Sequence, residues 1–254
     1  GGAAGTPVTG FVIGGAAGSG AKRILVRAVG PTLARFDVSG TLADPAVTIV
    51  AGSNTVASND NWLASDATAM AASGAFALAA GSLDAAVVST LASGEYSAPL
   101  NAKGGSGVTL LEVYDASGSA DGPMLVNASA RAFVGTGEQV LIPGFVIEGT
   151  GTVKLLVRAV GPTLTHFEVG DVLIDPQVTL FRGEVAVASN DNWGSAANAT
   201  EIQSAAVNAG AFALPAGSRD AALLATLSAG AYTAVVSGVG NATGTALVEI
   251  YVVN

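Results

Sequence analysis

The chain is an internal duplication, and this feature constrains its fold more than any other. The nine residues LVRAVGPTL occur at 25–33 and again at 156–164, and the motif VASNDNW recurs with the same offset of 131 residues. GAFAL begins at residue 74 and again at residue 210, so the second copy carries five extra residues before this motif. Each copy is about 105–115 residues long, which is an ordinary domain size. The sequence therefore predicts two similar domains in tandem.

One segment stands outside the duplication. MLVNASARAFV, at 124–134, reads as a strand and precedes the GFVI motif of the second copy, but it has no counterpart before GFVI of the first copy. We therefore divide the chain into a first repeat at 1–115, a linker strand at 116–143 and a second repeat at 144–254. With one linker strand for two repeats, we expect one domain to lack a strand and to expose an unpaired edge.

The pattern of apolar segments predicts the fold class. These segments are short, rich in β-branched residues and bounded by Gly, Pro, Asn or Asp, which is typical of proteins built from many short strands. One segment in each copy, 65–74 and 198–210, instead has an Ala-rich interior between a capping residue and a stop glycine, which predicts a helix. The predicted class is all-β: two tandem antiparallel β-sandwich domains, jelly-roll-like, each with one short helix.

The composition argues against several classes of function. The net charge is −9 with only 10 Lys and Arg residues, which speaks against a nucleic-acid partner, because phosphate binding needs clustered cations. There is no cysteine, and so no disulfide, zinc thiolate or thiol nucleophile. Gly, Asn, Asp or Arg interrupts every apolar run, so we expect no membrane span. A cysteine-free alphabet of small residues is typical of bacterial surface proteins, and we expect a secreted, processed protein at the cell surface.

The repeated motif places an arginine inside an apolar strand of each copy, Arg27 and Arg158. A buried guanidinium is costly unless it is paired and hydrogen-bonded. Each copy has an aspartate in an equally apolar setting, so we predict the structural clamps Arg27–Asp84 and Arg158–Asp220. The second candidates are the two aspartates that precede a proline, Asp44 and Asp175. The alternative is that each arginine binds a carboxylate of a ligand.

The most polar stretch of each copy is the SNDNW motif. Its Asn and Asp oxygens are ligands that calcium accepts, although the spacing is not that of an EF-hand. The other interpretation is an Asx turn between a strand and the helix, with the tryptophan plugging the core beneath it. The candidate calcium ligands are Asn59, Asp60, Asn61, Asn190, Asp191 and Asn192, and the candidate core plugs are Trp62 and Trp193. We expect no other cofactor.

The sequence offers no catalytic constellation. The single histidine, His166, aligns with Arg35 of the first copy, so it is not shared between the repeats. Without cysteine and with one unsupported histidine, Ser-His-Asp and Cys-His catalysis have no basis. We expect a protein that is not an enzyme.

The order of motifs supplies a resemblance. In each copy a DP dipeptide and an apolar strand precede VASNDNW, then come a helix, GAFAL, GS followed by DAA, and a last alternating strand with EVY or EIY. This order resembles a repeat of large secreted bacterial surface proteins, and its second half is similar to the pre-peptidase C-terminal (PPC-like) β-sandwich domains. The resemblance implies a β-sandwich fold with an accessory or structural role and no catalytic activity.

These observations give an expected function. An unpaired edge invites another chain to add a strand, and a head-to-tail contact that does not close makes a fibre. We therefore expect a subunit of an extracellular filament or array, a homopolymer in which the N-terminal segment 1–13 or the C-terminal strand 246–254 completes a neighbouring subunit. The candidate assembly residues are Val8, Phe11, Val12, Ile13, Val248, Ile250 and Val252.

Two alternatives remain at this point. In the first, the linker strand closes one domain, the other domain is stable without it, and the chain is a monomer or a piece of a longer array. In the second, the chain is a carbohydrate-binding or accessory adhesion module of a secreted protein. Tryptophans exposed on one flat face would favour a glycan partner.

Overall fold

The structure of the chain is mostly β-strand, which confirms the all-β class. The chain forms two compact units, Thr6–Ala128 and the described residues from Ser129 onward. The division falls inside the segment 116–143 that the sequence marks as a linker, because the strand of that segment contributes residues to both units. The computed structural model describes residues 6–15, 20–103, 105–117, 122–137 and 140–253.

The first unit is built from two sheets. Its strands are β1 (Val8–Gly14), β2 (Ala21–Val29), β3 (Pro45–Ala51), β4 (Asn54–Asn59), β5 (Ala85–Ala92), β6 (Gly94–Ala102), β7 (Leu110–Asp115) and the beginning of β8 (Met124–Val134). The larger sheet has the order β8–β1–β6–β3–β4, and the smaller one has the order β5–β2–β7. The pairs β1–β6, β3–β6, β3–β4, β2–β5 and β2–β7 are antiparallel.

The second unit repeats this plan with longer strands. Its strands are the end of β8, then β9 (Gly144–Val160), β10 (Pro176–Arg182), β11 (Val185–Asn190), β12 (Ala221–Gly238) and β13 (Gly244–Val253), in the order β11–β10–β12–β9–β13–β8. The start and end of β9 match β1 and β2, and β12 matches β5 and β6. Gly94 and Gly230 sit at equivalent positions, with φ of 158° and 149°, between the matching parts of the strands.

Each unit has the one short helix that the sequence predicts, α1 (Ala67–Ala72) and α2 (Ala199–Asn208). The stop glycines Gly74 and Gly210 follow them with φ of 72° and 71°, the left-handed conformation that glycine adopts without strain. In the part of the chain that the structure describes, no helix is long and apolar enough to cross a membrane.

Strand β2 is buried on both faces, which explains its unbroken apolar sequence. Ile24 and Val26 belong to one core cluster, whereas Leu25 and Val29 face a second cluster that also holds Met70 of α1. The matching part of β9 divides in the same way between two clusters of the second unit. Arg27 and Arg158 are therefore enclosed at the side of the strand that the helix covers.

Candidate functional site

The repeated arginine of the first unit is fully enclosed. Arg27 is 0% exposed, and its Nε and Nη2 donate hydrogen bonds to Glu112 Oε2 at 2.9 and 2.5 Å. Nη1 donates to the carbonyl oxygen of Phe76 at 2.6 Å, and the guanidinium carbon lies 4.4 Å from the centre of the Phe76 ring. The hydroxyl of Tyr114 donates to the other oxygen of Glu112 at 2.5 Å. The charge is thus paired and its donors are directed to fixed acceptors.

The second unit holds the same group of residues. Arg158 is also 0% exposed; its Nε donates to Glu249 at 2.9 Å and its Nη1 donates to the carbonyl of Phe212 at 2.6 Å. The Phe212 ring lies 4.3 Å from the guanidinium carbon, and the Tyr251 hydroxyl donates to Glu249 at 2.7 Å. A group that recurs in both units with every member inside the fold is structural, which supports the clamp interpretation over ligand binding.

The predicted partners of these arginines were wrong. Asp84 and Asp220 do not pair with Arg27 and Arg158, because strand register places a glutamate directly opposite each arginine, Glu112 on β7 and Glu249 on β13. Glu249 is accordingly only 5% exposed. The second candidates do not pair with these arginines either. Asp175, for example, accepts a hydrogen bond from Arg219 at 2.9 Å.

The buried aspartates bind the backbone instead. Asp84 Oδ1 accepts hydrogen bonds from the N–H groups of Gly30 and Thr32 at 2.8 and 3.2 Å, and Oδ2 accepts from the hydroxyls of Thr32 and Ser82. These N–H groups open the 3-10 helix Pro31–Phe36 that follows β2. Helix N-termini leave N–H groups unpaired, and a carboxylate satisfies them well. The GPT motif is therefore the binding site for the aspartate of its own repeat.

The same aspartate network recurs in the second unit and includes the tryptophan. Asp220 accepts from the N–H groups of Gly161 and Thr163 at 2.8 and 3.3 Å. The indole N–H of Trp193 donates to Ser218 Oγ at 3.1 Å, as that of Trp62 does to Ser82 Oγ at 3.2 Å in the first unit. Trp193 is 7% exposed and Trp62 is half-buried, so both indoles pack into their own unit.

The first asparagine of the SNDNW motif holds a local turn in both units, but it does so as a donor to the carbonyl two residues on, whereas an Asx turn has the side-chain oxygen as acceptor. Asn59 Nδ2 donates to the carbonyl of Asn61 at 2.9 Å, and its Oδ1 accepts from the N–H of Ala86 at 3.1 Å. Asn190 makes the same two contacts, with Asn192 at 3.3 Å and with Ala222 at 3.0 Å. The amide oxygens of both asparagines are thus engaged by β-strand N–H groups, which supports the turn over calcium binding.

The remaining polar groups of the motif lie at the surface. Asp60 forms an ion pair with Lys103, and the hydrogen bond from Lys103 lowers the pKa of Asp60 below its ordinary value. Asn61 and Asp191 are exposed, as is His166 on its 3-10 helix. Within the described residues, no three His, Asp or Glu side chains are grouped closely enough to hold a metal ion.

A further charged pair, Lys22–Asp115, has no charged counterpart at the equivalent positions of the second unit. The Lys22 side chain is 2% exposed and its ammonium lies 2.8 Å from Asp115. Val153 and Val252 stand at the equivalent positions of the second copy, so the second copy has two valines in place of this charged pair. Burial acts to raise the pKa of Asp115, but hydrogen bonds from Lys22 and Ser117 outweigh it, and the net pKa lies below the ordinary value of 3.8.

We expect Asp115→Val alone to destabilise the first unit by about 1–3 kcal/mol, because it leaves a buried ammonium without this carboxylate. Lys22→Val/Asp115→Val, which copies the second repeat, should restore most of that loss. Because folding lowers the pKa of Asp115, its contribution is complete above the unfolded value and is lost as pH falls through the folded value. Urea unfolding between pH 7 and pH 3 should therefore show a steeper acid loss in the wild type than in the double variant; equal slopes would contradict this.

The predicted assembly strands are already paired inside the chain. Strand β1, with Val8, Phe11, Val12 and Ile13, lies between β6 and β8, and β13, with Val248, Ile250 and Val252, lies between β9 and β8. Phe11, Ile13 and Val248 are each 1% exposed. Neither strand offers a free edge, contrary to the prediction, because β8 covers both. Residues 1–5 and 254 of the predicted donor segments lie outside the described residues.

The structure places open edges elsewhere. Of the described strands, β4 and β5 are edge strands in the first unit, and their equivalents, β11 and the first part of β12, are edges in the second. Two other edges are open in one unit and covered in the other. Strand β7 ends the smaller sheet of the first unit, although its equivalent β13 is covered by β8. Among the residues that the structure describes, the first residues of β9 pair with β12 alone, although their equivalent β1 has β8 on its second side. We call these two the open edges of β7 and β9.

The apolar side chains of these strands are more deeply buried where β8 covers the edge. Phe11 and Ile13 on β1 are 1% exposed, whereas their equivalents on β9, Phe145 and Ile147, are only partly buried, and Val146 between them is 63% exposed. On β13, Val248 is 1% exposed, whereas Leu111 and Val113 on β7 are partly buried. Identical or closely similar sequences thus bury less apolar surface wherever β8 is missing.

Comparison with known proteins does not assign this chain to a family. Neither a protein-family model nor a curated protein matches this chain. The class that the fold and its edges define is an all-β protein with a duplicated unit and two edges left open by a single shared strand. The resemblance to PPC-like domains stays a prediction.

Proposed function

We propose that the chain is a non-enzymatic structural protein of the extracellular surface, a subunit of a filament or array whose copies join head to tail by β-strand addition. Each unit is then a β-sandwich, and the occupant of each open edge is a second copy of this chain. The PPC-like resemblance, with its structural or accessory role, agrees with this proposal.

The unequal burial of two equivalent edges carries the proposal. A strand beside an edge satisfies a row of backbone groups and covers apolar side chains on both faces of the sheet. The chain contains one β8, and the open edges of β7 and β9 leave uncovered the surface that β8 covers at the equivalent edges of the other unit. A strand of a second copy would cover it. Since one open edge lies in each unit, a contact that joins the β7 edge of one copy to the β9 edge of the next is head to tail. Such a contact produces a fibre when the rotation between copies does not close a ring.

Two of the other exposed edges differ from these two in the exposure of their side chains. Strands β4 and β11 expose most of their side chains, and they are equally open in both units. By contrast, the open edges of β7 and β9 expose side chains that the other unit keeps in its core.

Glycan binding gains no support from the two tryptophans. Trp193 is buried and Trp62 donates its indole N–H to Ser82 within its own unit, so neither forms a flat exposed platform. The buried charged residues, in turn, contact one another and the backbone. We therefore do not advance an adhesion module or an enzyme as a second function.

We expect Val146→Lys to weaken self-association, because it adds a charge to the open edge of β9 without touching the core. The matched control is Val187→Lys on β11, where the valine is 45% exposed on an edge that is open in both units. Sedimentation velocity from micromolar to millimolar protein, with electron microscopy of the most concentrated samples, measures the effect. The wild type and Val187→Lys should form elongated oligomers, and Val146→Lys should not. A wild type that stays monomeric throughout would contradict the proposal.

A further inference from the structure

The start of β9 is the structural equivalent of β1, residue by residue. Phe11 lies opposite Tyr96 on β6, and Phe145 lies opposite Tyr232 on β12. The two aromatic pairs stack alike, with ring centroids 5.4 and 5.6 Å apart and interplanar angles of 17° in both. The strand register therefore aligns the two GFVI motifs in the same way as the sequence comparison. It also aligns the residue that follows each motif.

That next residue differs between the copies. It is Gly14 in the first unit and Glu148 in the second. A Cβ placed on Gly14 would lie 2.7 Å from Val126 Cγ1 of β8, which is closer than real side chains approach. Gly14 does not have a positive φ, so the requirement for glycine is one of space. The valine of β8 fills the place that a side chain at this position would take.

We infer that Glu148 determines which strand the open edge of β9 accepts, and that it excludes a strand with the sequence of β8, including β8 of a second copy. This inference rests on the proposed function, because it concerns the same edge. The exposed Glu148 side chain occupies the space that Val126 would need, and its charge would be desolvated beneath an apolar residue.

The exclusion has a consequence for assembly. With glycine at position 14 and glutamate at position 148, β8 fits the edge of β1 and is rejected by the edge of β9. A second copy that joins at the open edge of β9 therefore does so with a segment other than β8.

The test uses a synthetic peptide with the β8 sequence MLVNASARAFV and the full chain. Hydrogen exchange of the segment 144–148, followed by mass spectrometry, reports binding at this edge separately from binding elsewhere. We expect the peptide to protect segment 144–148 of Glu148→Gly at peptide concentrations on the order of 10- to 100-fold lower than in the wild type, because the overpacking that glutamate causes against Val126 costs about 1–3 kcal/mol. Glu148→Gln, which keeps the bulk and removes the charge, should behave like the wild type.

A reciprocal variant checks that space is the cause. A peptide with glycine in place of Val126 should protect the wild-type edge at about tenfold lower concentration than the unmodified peptide. Equal protection of the wild type and Glu148→Gly, or no protection of Glu148→Gly at any concentration, would overturn the inference. Self-association of the wild type without peptide is measured independently, so a failure of the proposed function is distinguishable from a failure of this exclusion.

Discussion

Glu249→Gln should lower the free energy of unfolding of the second unit by about 3–5 kcal/mol, because it leaves the guanidinium of Arg158 buried without a countercharge. Glutamine keeps the shape of glutamate, so the loss reports the charge pair and not a cavity. Removal of one partner of a buried pair is far more costly than replacement of both by apolar residues of similar volume. Urea denaturation monitored by tryptophan fluorescence in a Trp62→Phe background measures this unit, because Trp193 then supplies the signal and packs into its core.

The double variant Arg158→Met/Glu249→Leu supplies the matched comparison, and we expect its stability to lie within about 1 kcal/mol of the wild type. Glu184→Gln, at an exposed position, controls for the chemical change alone. If Glu249→Gln proved as stable as Glu184→Gln, the charged pair would not hold this unit together. The equivalent change in the first unit, Glu112→Gln, should act on that unit in the same direction.

Gly161→Ala should destabilise the second unit by about 3 kcal/mol or more. A Cβ on Gly161 would lie 2.0 Å from the carbonyl oxygen of Leu173, which is backbone and cannot rotate away. Any relief of that clash also moves the N–H of Gly161 away from Asp220, to which it donates at 2.8 Å. Thermal unfolding of the purified variant measures the effect, and failure to fold counts as the same result.

Gly170→Ala is the control for this change, because a Cβ on Gly170 meets nothing within 4 Å and its φ is not positive. We expect it to have the stability of the wild type. Equal melting temperatures for Gly161→Ala and Gly170→Ala would show that the backbone does not approach the GPT motif as closely as described. Gly30, with 2.1 Å to the carbonyl of Leu42, repeats the arrangement in the first unit.

Much of the fold could be predicted from local patterns. The duplication, the positions of the strands and the one helix in each copy all depend on residues close in sequence, and the structure confirms them. The burial of Arg27 and Arg158 could also be predicted, since each arginine lies in a run of apolar residues. The partners could not, because Glu112 and Glu249 become neighbours of the arginines only through strand register, which no single strand displays.

The positions of the open edges could not be predicted from the sequence for a related reason. Counting strands predicts that one linker strand cannot serve two repeats fully, but it does not say which edges β8 covers. In the structure β8 serves both units, so the strands named as donors, β1 and β13, are covered, and β7 and β9 carry the open edges. The difference between Gly14 and Glu148 was visible in the sequence, but its meaning depends on Val126 lying against Gly14.

Hydrogen exchange of the wild-type chain as a function of its own concentration tests the central claim most directly. If copies join at the open edges, the amides of 144–147 and 110–113 become protected as concentration rises, whereas those of β4 and β11 exchange at constant rates. Exchange that is independent of concentration in all four segments, in a sample that remains monomeric, would contradict the account.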